Sequence, residues 1–180
     1  MLTEKNASRG VIFRIALVGI CAALIEVVKL ALASIPNVEG VTLLNAVFGY
    51  CFGWYGVLAS LVFVSIEPLI WGYNTWVLSY YLYWPFVALV FYLLGKRGVR
   101  NRVVLTAVAV ALTVWFGILT SLVDVGLFTG FWDHFWSRFH IYYWRGIWFY
   151  VVQVACNAVV FPFLFRPLSN LLTKLRNRFF

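Results

Sequence analysis

The sequence predicts an all-α integral membrane protein with six transmembrane helices and both termini in the cytoplasm. Three observations carry that expectation. Of 180 residues, 64% are hydrophobic and 11% charged, with a mean hydropathy of +0.92. A soluble domain of this length has too little interior to hide so much apolar surface. Several apolar runs approach or exceed the ~20 residues that cross a bilayer, and they are unbroken, where a barrel would alternate. Finally, the basic residues cluster between and after these runs.

Residues 1–10 are polar and carry Lys5 and Arg9. The run 11–35 would reach ~37 Å at ~1.5 Å per residue. It shows no small-residue cleavage site, so no cleavable signal peptide is expected. Glu26 and Lys29 lie three apart within it, a spacing that permits a local ion pair. Pro36, Asn37, Glu39 and Gly40 then break the run, because proline and glycine stop a helix and a carboxylate resists hydrocarbon. Residues 41–51 resume it. Gly53 and Gly56 allow a tight reversal, and residues 57–70 follow, interrupted by Glu67-Pro68. Trp71-Gly72-Tyr73-Asn74 reads as a turn, 75–94 as an aromatic-rich span, and 95–102 as a basic loop. Residues 103–123 span, 124–143 read as a long loop of Trp, Phe, His and Asp, and 144–165 span before a basic tail. No linker divides the chain, so residues 1–180 are expected to form one domain.

Whether 41–70 holds one helix or two is decided by charge. With two, the chain crosses six times. Lys5, Arg9, Arg14, Lys96, Arg97, Arg100, Arg102, Arg166, Lys174, Arg176 and Arg178 then share one side. Only Lys29, Arg138 and Arg145 of the fourteen basic residues fall elsewhere. With one helix the basic loop and tail would face outward, against the positive-inside bias. The segment 41–51 is short for a straight crossing. Because the positive charge sits at the ends of spans, the net +8 is no sign of nucleic-acid binding.

The same topology gathers polar and aromatic groups at the outer end. Asn37, Glu39, Trp71, Tyr73, Asn74, Asp124, Tyr143 and Arg145 fall there, with Glu67 within a span just below and Tyr80 and Trp84 on the aromatic span. An interfacial belt of Trp and Tyr explains part of this. A belt needs two faces, however, and the cytoplasmic side has mainly Trp54, Tyr55 and Tyr92. Intramembrane acids are expensive and usually functional. These residues are therefore the candidate lining of an outward-facing pocket. Asn157 joins them, four residues after Gln153 on one face; the pair points into the cavity or bridges helices. The aromatic segment 131–144 could lie as a lid over a flat ligand.

The chain lacks the pieces of other chemistries. Cys21, Cys51 and Cys156 are scattered without a Cys-x-x-Cys or Cys/His pattern, so neither a disulfide frame nor a metal site is expected. No nucleophile elbow, phosphate loop or His-Glu pair at ligand spacing occurs. No enzymatic activity and no cofactor are expected. No repeat relates 1–90 to 91–180, as an independent secondary transporter would usually show. A structural or assembly subunit remains the alternative, with a membrane-embedded enzyme behind it.

One resemblance sharpens this. The six-span pattern, the short second helix after Pro36-Asn37-Val38-Glu39, the run Trp71-Gly72-Tyr73-Asn74-Thr75-Trp76 before an aromatic helix reaching Trp84-Pro85, and the closing Phe165-Arg166-Pro167-Leu168 resemble substrate-capture (S) components of energy-coupling factor (ECF) transporters. The resemblance covers nearly the whole chain as a pattern of hydropathy and scattered residues. It implies a bacterial plasma-membrane protein that binds a vitamin from outside. It also implies partners: a transmembrane coupling (T) subunit and two cytoplasmic ATPases, with the membrane lipid around them and no nucleic acid. Among vitamins, the lid and the fringe of polar groups lean towards cobalamin. The family's coupling surface is a small-x-x-x-small row on the first helix. Here Ala16, Gly19, Ala22 and Ala23 occupy that region, with Gly19 and Ala23 four apart. Such a row serves a partner helix or packing inside the bundle, and Gly49 with Gly53 forms a second row open to either use.

Overall fold

The protein is described by a computed structural model covering residues 2–35 and 38–179. Its elements are α1 (Leu2–Leu32), α2 (Val41–Phe52), α3 (Trp54–Trp71), α4 (Trp76–Lys96), α5 (Arg102–Thr129), α6 (Phe135–Val160) and α7 (Arg166–Phe179), with a π-helical turn at Phe161–Phe165 joining the last two. Among the described residues there is no strand. Five helices are long and apolar enough to cross a membrane, the last running through α6 and α7 together. The protein is thus a helical membrane protein by the character of its helices.

The short α2 has 12 residues, ~18 Å at helical rise, less than a ~30 Å hydrocarbon core. It is tolerated because it lies inside protein: it packs against every other helix, and nine of its residues are buried. Glycines let its neighbours come close. A Cβ on Gly49 would fall 2.1 Å from the Ala88 carbonyl oxygen of α4, and one on Gly56 2.3 Å from that of Phe48. The Gly49 position is therefore taken by packing within the bundle. Gly53, at φ +60, makes the α2–α3 reversal in a backbone region that favours glycine. Around α2 the core is aromatic: Phe48, Phe63, Tyr83, Phe91 and Phe161 are all buried, and Phe116 packs on Tyr83 and Trp84 with ring centroids 4.6 and 5.7 Å away.

Two sequence expectations are corrected. The stretch 124–143 is not a long loop. α5 continues to Thr129, α6 begins at Phe135, and the connection is Gly130 to His134. Aromatic residues are adequate helix formers, and no glycine or proline follows Gly130 until Gly146. The turn itself uses Gly130, Asp133 and His134, all at positive φ. Arg138 closes it by donating to the carbonyls of Thr129, Gly130 and Trp132. The aromatic segment is thus mostly the start of α6 rather than a lid. Secondly, α1 starts well before residue 11 and ends at Leu32.

The ends of the bundle differ. At one, Arg166 donates to the Arg100 carbonyl, Tyr50 to that of Val99 at 2.9 Å, Arg176 to that of Cys51 at 2.7 Å, and Arg14 sits over the Tyr55 ring. The basic loop, the Gly53 reversal, Arg14 and α7 therefore share one end. The other end holds the α1–α2 connection, the α3–α4 turn and the α5–α6 turn.

Candidate functional site

At this second end a polar chain ties four parts of the fold together. Glu39, in the α1–α2 connection, accepts from the Thr42 hydroxyl at 2.5 Å and from Asn157 Nδ2 of α6 at 3.0 Å. The same amide nitrogen donates to Thr113 of α5 at 3.0 Å, and Thr113 donates onward to the Ala109 carbonyl at 2.8 Å. Glu39 is half-exposed as a residue, but its carboxyl group is enclosed. Burial pushes that carboxyl above its usual range, against the downward pull of the bonds from Thr42 and Asn157. Asn157 therefore bridges helices.

Beside this chain lies a charged cluster. Lys29 of α1 forms an ion pair with Glu67 of α3, which is fully buried. The sequence spacing pointed instead to Glu26 as the lysine's partner. The correction is geometric: Glu67 presents its oxygen directly to the ammonium, while Glu26 lies beside both and interacts with Glu67 carboxyl to carboxyl. Three rings surround the ammonium. It lies 5.3 Å from the centre of Trp71, 5.9 Å from Trp76 and 5.3 Å from Tyr80, within reach of cation–π attraction.

A cavity of about 300 Å³ opens between these two groups. Lys29, Glu39, Tyr80, Trp84, Phe116 and Gln153 are among its walls, with Trp71 at its edge and aliphatic residues of the α1–α2 connection closing it. Gln153 Oε1 and Trp84 Nε1 are buried without a partner. The cavity thus offers a cation and several aromatic faces, with an unmet acceptor on Gln153 and an unmet donor on Trp84 buried in its walls. Buried polar atoms in folded proteins nearly always find partners, so unmet ones around a cavity mark where a bound molecule would bond.

Of the sequence candidates, Glu39, Trp71, Tyr80 and Trp84 line this cavity, and Glu67 and Asn157 support it through Lys29 and Glu39. Asn37 lies outside the described residues. Tyr73 and Asn74 are exposed, and Asn74 accepts from the Thr75 backbone N–H at the head of α4. Asp124 accepts from Tyr142 at 2.7 Å on the α5–α6 face, and Tyr143 stacks on Phe139 and Tyr150 there. Arg145 is exposed on α6. None of these last five lines the cavity. The sequence reading missed Lys29 as a wall and Phe116 altogether. The signal for Lys29 was available, since a lysine inside a span rarely lacks a role; Phe116 was one phenylalanine among 17.

On α1, Ala16, Gly19 and Ala23 are exposed, and nothing within 4 Å would meet a Cβ at Gly19. Ala22 faces inward and is buried. Among the described residues, no three His, Cys, Asp or Glu come together as a metal site would need.

Comparison with known proteins found no matching family, no matching curated protein and no matching solved structure.

Proposed function

We propose that this chain is the substrate-capture subunit of an ECF-type importer, taking a small micronutrient from outside into the cavity between α1, α3, α4 and α6. The observation that carries the reading is the cavity itself. It is enclosed by rings, holds a cation, and leaves a buried acceptor on Gln153 and a buried donor on Trp84. Ligand sites are concave, mostly apolar and fitted with a few converging polar groups. The proposed topology has six passes, with α2 as a short internal one and both termini in the cytoplasm. The gathering of the basic loop, Arg14 and α7 at one end supports it.

The volume bears on the ligand. About 300 Å³ is at the small end of ligand pockets. A one- or two-ring compound able to stack, accept from Trp84 and donate to Gln153 fits it. A corrinoid would require the bundle to open, so the lean towards cobalamin gives way to a smaller vitamin. The exposed Ala16, Gly19 and Ala23 row supports contact with a coupling subunit, since small residues let a partner helix approach closely in lipid.

The test is native mass spectrometry of the protein purified from its membrane, followed by denaturation to release any bound compound. A ligand of a few hundred daltons is expected, and Gln153→Leu should lower its occupancy about tenfold, as loss of a buried hydrogen bond would. Gly19→Trp should leave occupancy intact and abolish co-purification of the coupling and ATPase subunits. Absence of any ligand, together with no binding to a panel of vitamins, would sink the capture role.

A further inference from the structure

The basic end carries a second recess, of about 520 Å³, between the α4–α5 turn and α7. Arg100, Arg166 and Arg176 border it, with Ser169, Asn170 and Thr173 between them. Among the described residues no carboxylate lines it. Arg166 and Arg176 are held in place by the backbone carbonyls of Arg100 and Cys51. Arg176 also donates from two nitrogens to the Asn177 side-chain oxygen at 3.4 Å; a guanidinium has five N–H donors, so both arginines keep donors for an anion.

Arg176 also borders a second space. This is a groove of about 340 Å³ between α1, α2 and α7, with Phe13, Ile20, Leu24, Leu172 and Leu175 among its walls and no polar side chain but Arg176. The helix that separates recess from groove is itself two-faced. Leu168 and Leu172 of α7 pack on the core, while Lys174 and Arg176 stand exposed. A basic amphipathic helix of this kind lies at a membrane interface, and basic pockets between membrane helices hold anionic headgroups.

We propose that this end of the protein binds one anionic phospholipid from the surrounding bilayer. Its phosphate sits in the recess between Arg100, Arg166 and Arg176, and one acyl chain lies in the groove, with Arg176 at the boundary. Free phosphate would fill the recess alone and gain nothing from the apolar groove; a phospholipid fits both at once.

The experiment is native mass spectrometry of the purified full chain titrated with phosphatidylglycerol, phosphatidylcholine, glycerol phosphate and inorganic phosphate. Phosphatidylglycerol should be retained on the order of tenfold over phosphatidylcholine. Arg100→Gln and Arg176→Gln should each lower that retention about fivefold, the worth of one basic residue near an anionic surface, and leave phosphatidylcholine unchanged. Equal retention of the two lipids overturns the proposal. So does retention of inorganic phosphate at the concentration at which phosphatidylglycerol is retained, which would mark a phosphate site that gains nothing from the apolar groove. Should either variant fail to stay monodisperse, the lipid series on the unaltered protein decides.

Discussion

The two ends of the bundle treat charge in opposite ways. At the basic end the arginines lie on the rim and are tied to backbone carbonyls at helix ends: Arg166 to Arg100, Arg176 to Cys51. There the charge is solvated or neutralised by the chain's own dipoles, and it costs little. At the other end Glu26, Lys29, Glu39 and Glu67 are carried between the helices, and several of their oxygens have no partner. Two of these carboxyl groups, Glu67 and Glu26, face the one ammonium, and Glu39 is bonded instead to Thr42 and Asn157. An interior charge is destabilising unless paired and hydrogen-bonded, so this cluster costs stability where the arginines of the basic end do not. The difference teaches that positive charge gathers at the rim of one end, while negative charge is carried inside the other, beside a cavity.

The largest break in that contrast should come from Lys29→Met. It strands the fully buried Glu67, and losing one partner of a buried pair costs about 3 kcal/mol or more. Thermal unfolding in detergent should show it, and Glu67→Gln added to Lys29→Met should recover most of the loss. If Lys29→Met unfolds at the unaltered protein's temperature, the pair does not hold α1 to α3.

Glu39 gives the next effect, and it is pH-dependent. Burial raises its folded pKa above the ~4.3 of a free glutamate. The folded state then holds its proton more tightly than the unfolded state. The stabilisation is full below the unfolded pKa and is lost as pH rises through the folded pKa. Unfolding midpoints measured from pH 4 upward (about the free-glutamate value) should therefore carry a falling component that Glu39→Gln removes. Asn157→Leu takes away a donor to Glu39 and one to Thr113. It should cost about 2 kcal/mol, as for a hydrogen bond to a charged group, and should push the Glu39 transition higher still. A pH profile identical in the unaltered protein and Glu39→Gln would show that this carboxyl does not titrate with folding.

How far the sequence could be read follows the same division. Five helices long and apolar enough to cross a membrane were legible because hydropathy acts over about 20 residues at a time, and the basic loop, Arg14 and α7 meet at one end of the structure. Glu67 was legible as an acid inside a span. Its partner was not, because Lys29 and Glu67 are 38 positions apart and the nearer Glu26 offered a plausible local pair. Thr42 and Thr113, which complete the Glu39 chain, carry no sequence signal; a threonine in a membrane helix usually bonds its own backbone, as Thr113 also does. The segment 131–144 failed for another reason. Its aromatics suit stacking on a ligand, yet no glycine or proline between Gly130 and Gly146 stops a helix.

The α3–α4 turn supplies the smallest effect, and a direct check on the site. Tyr73 and Asn74 stand in the turn between α3 and α4, close in sequence to Trp71 and Trp76 but outside the cavity, and Tyr73 is 82% exposed. Tyr73→Ala removes a ring that contacts water or headgroups. It should shift stability by less than about 0.5 kcal/mol, as surface changes do, and leave ligand occupancy unchanged. Tyr80→Ala, seven residues on and about one turn into α4, removes a cavity wall and one of the three rings around Lys29, and should lower occupancy about tenfold, the worth of a stacked ring. The two tyrosines share chemistry and differ in whether they reach the cavity. If both replacements cost the same occupancy, the outer turn belongs to the binding site and the cavity between the helices is too narrowly drawn; if neither does, the ligand sits elsewhere and the acids between the helices serve the fold alone.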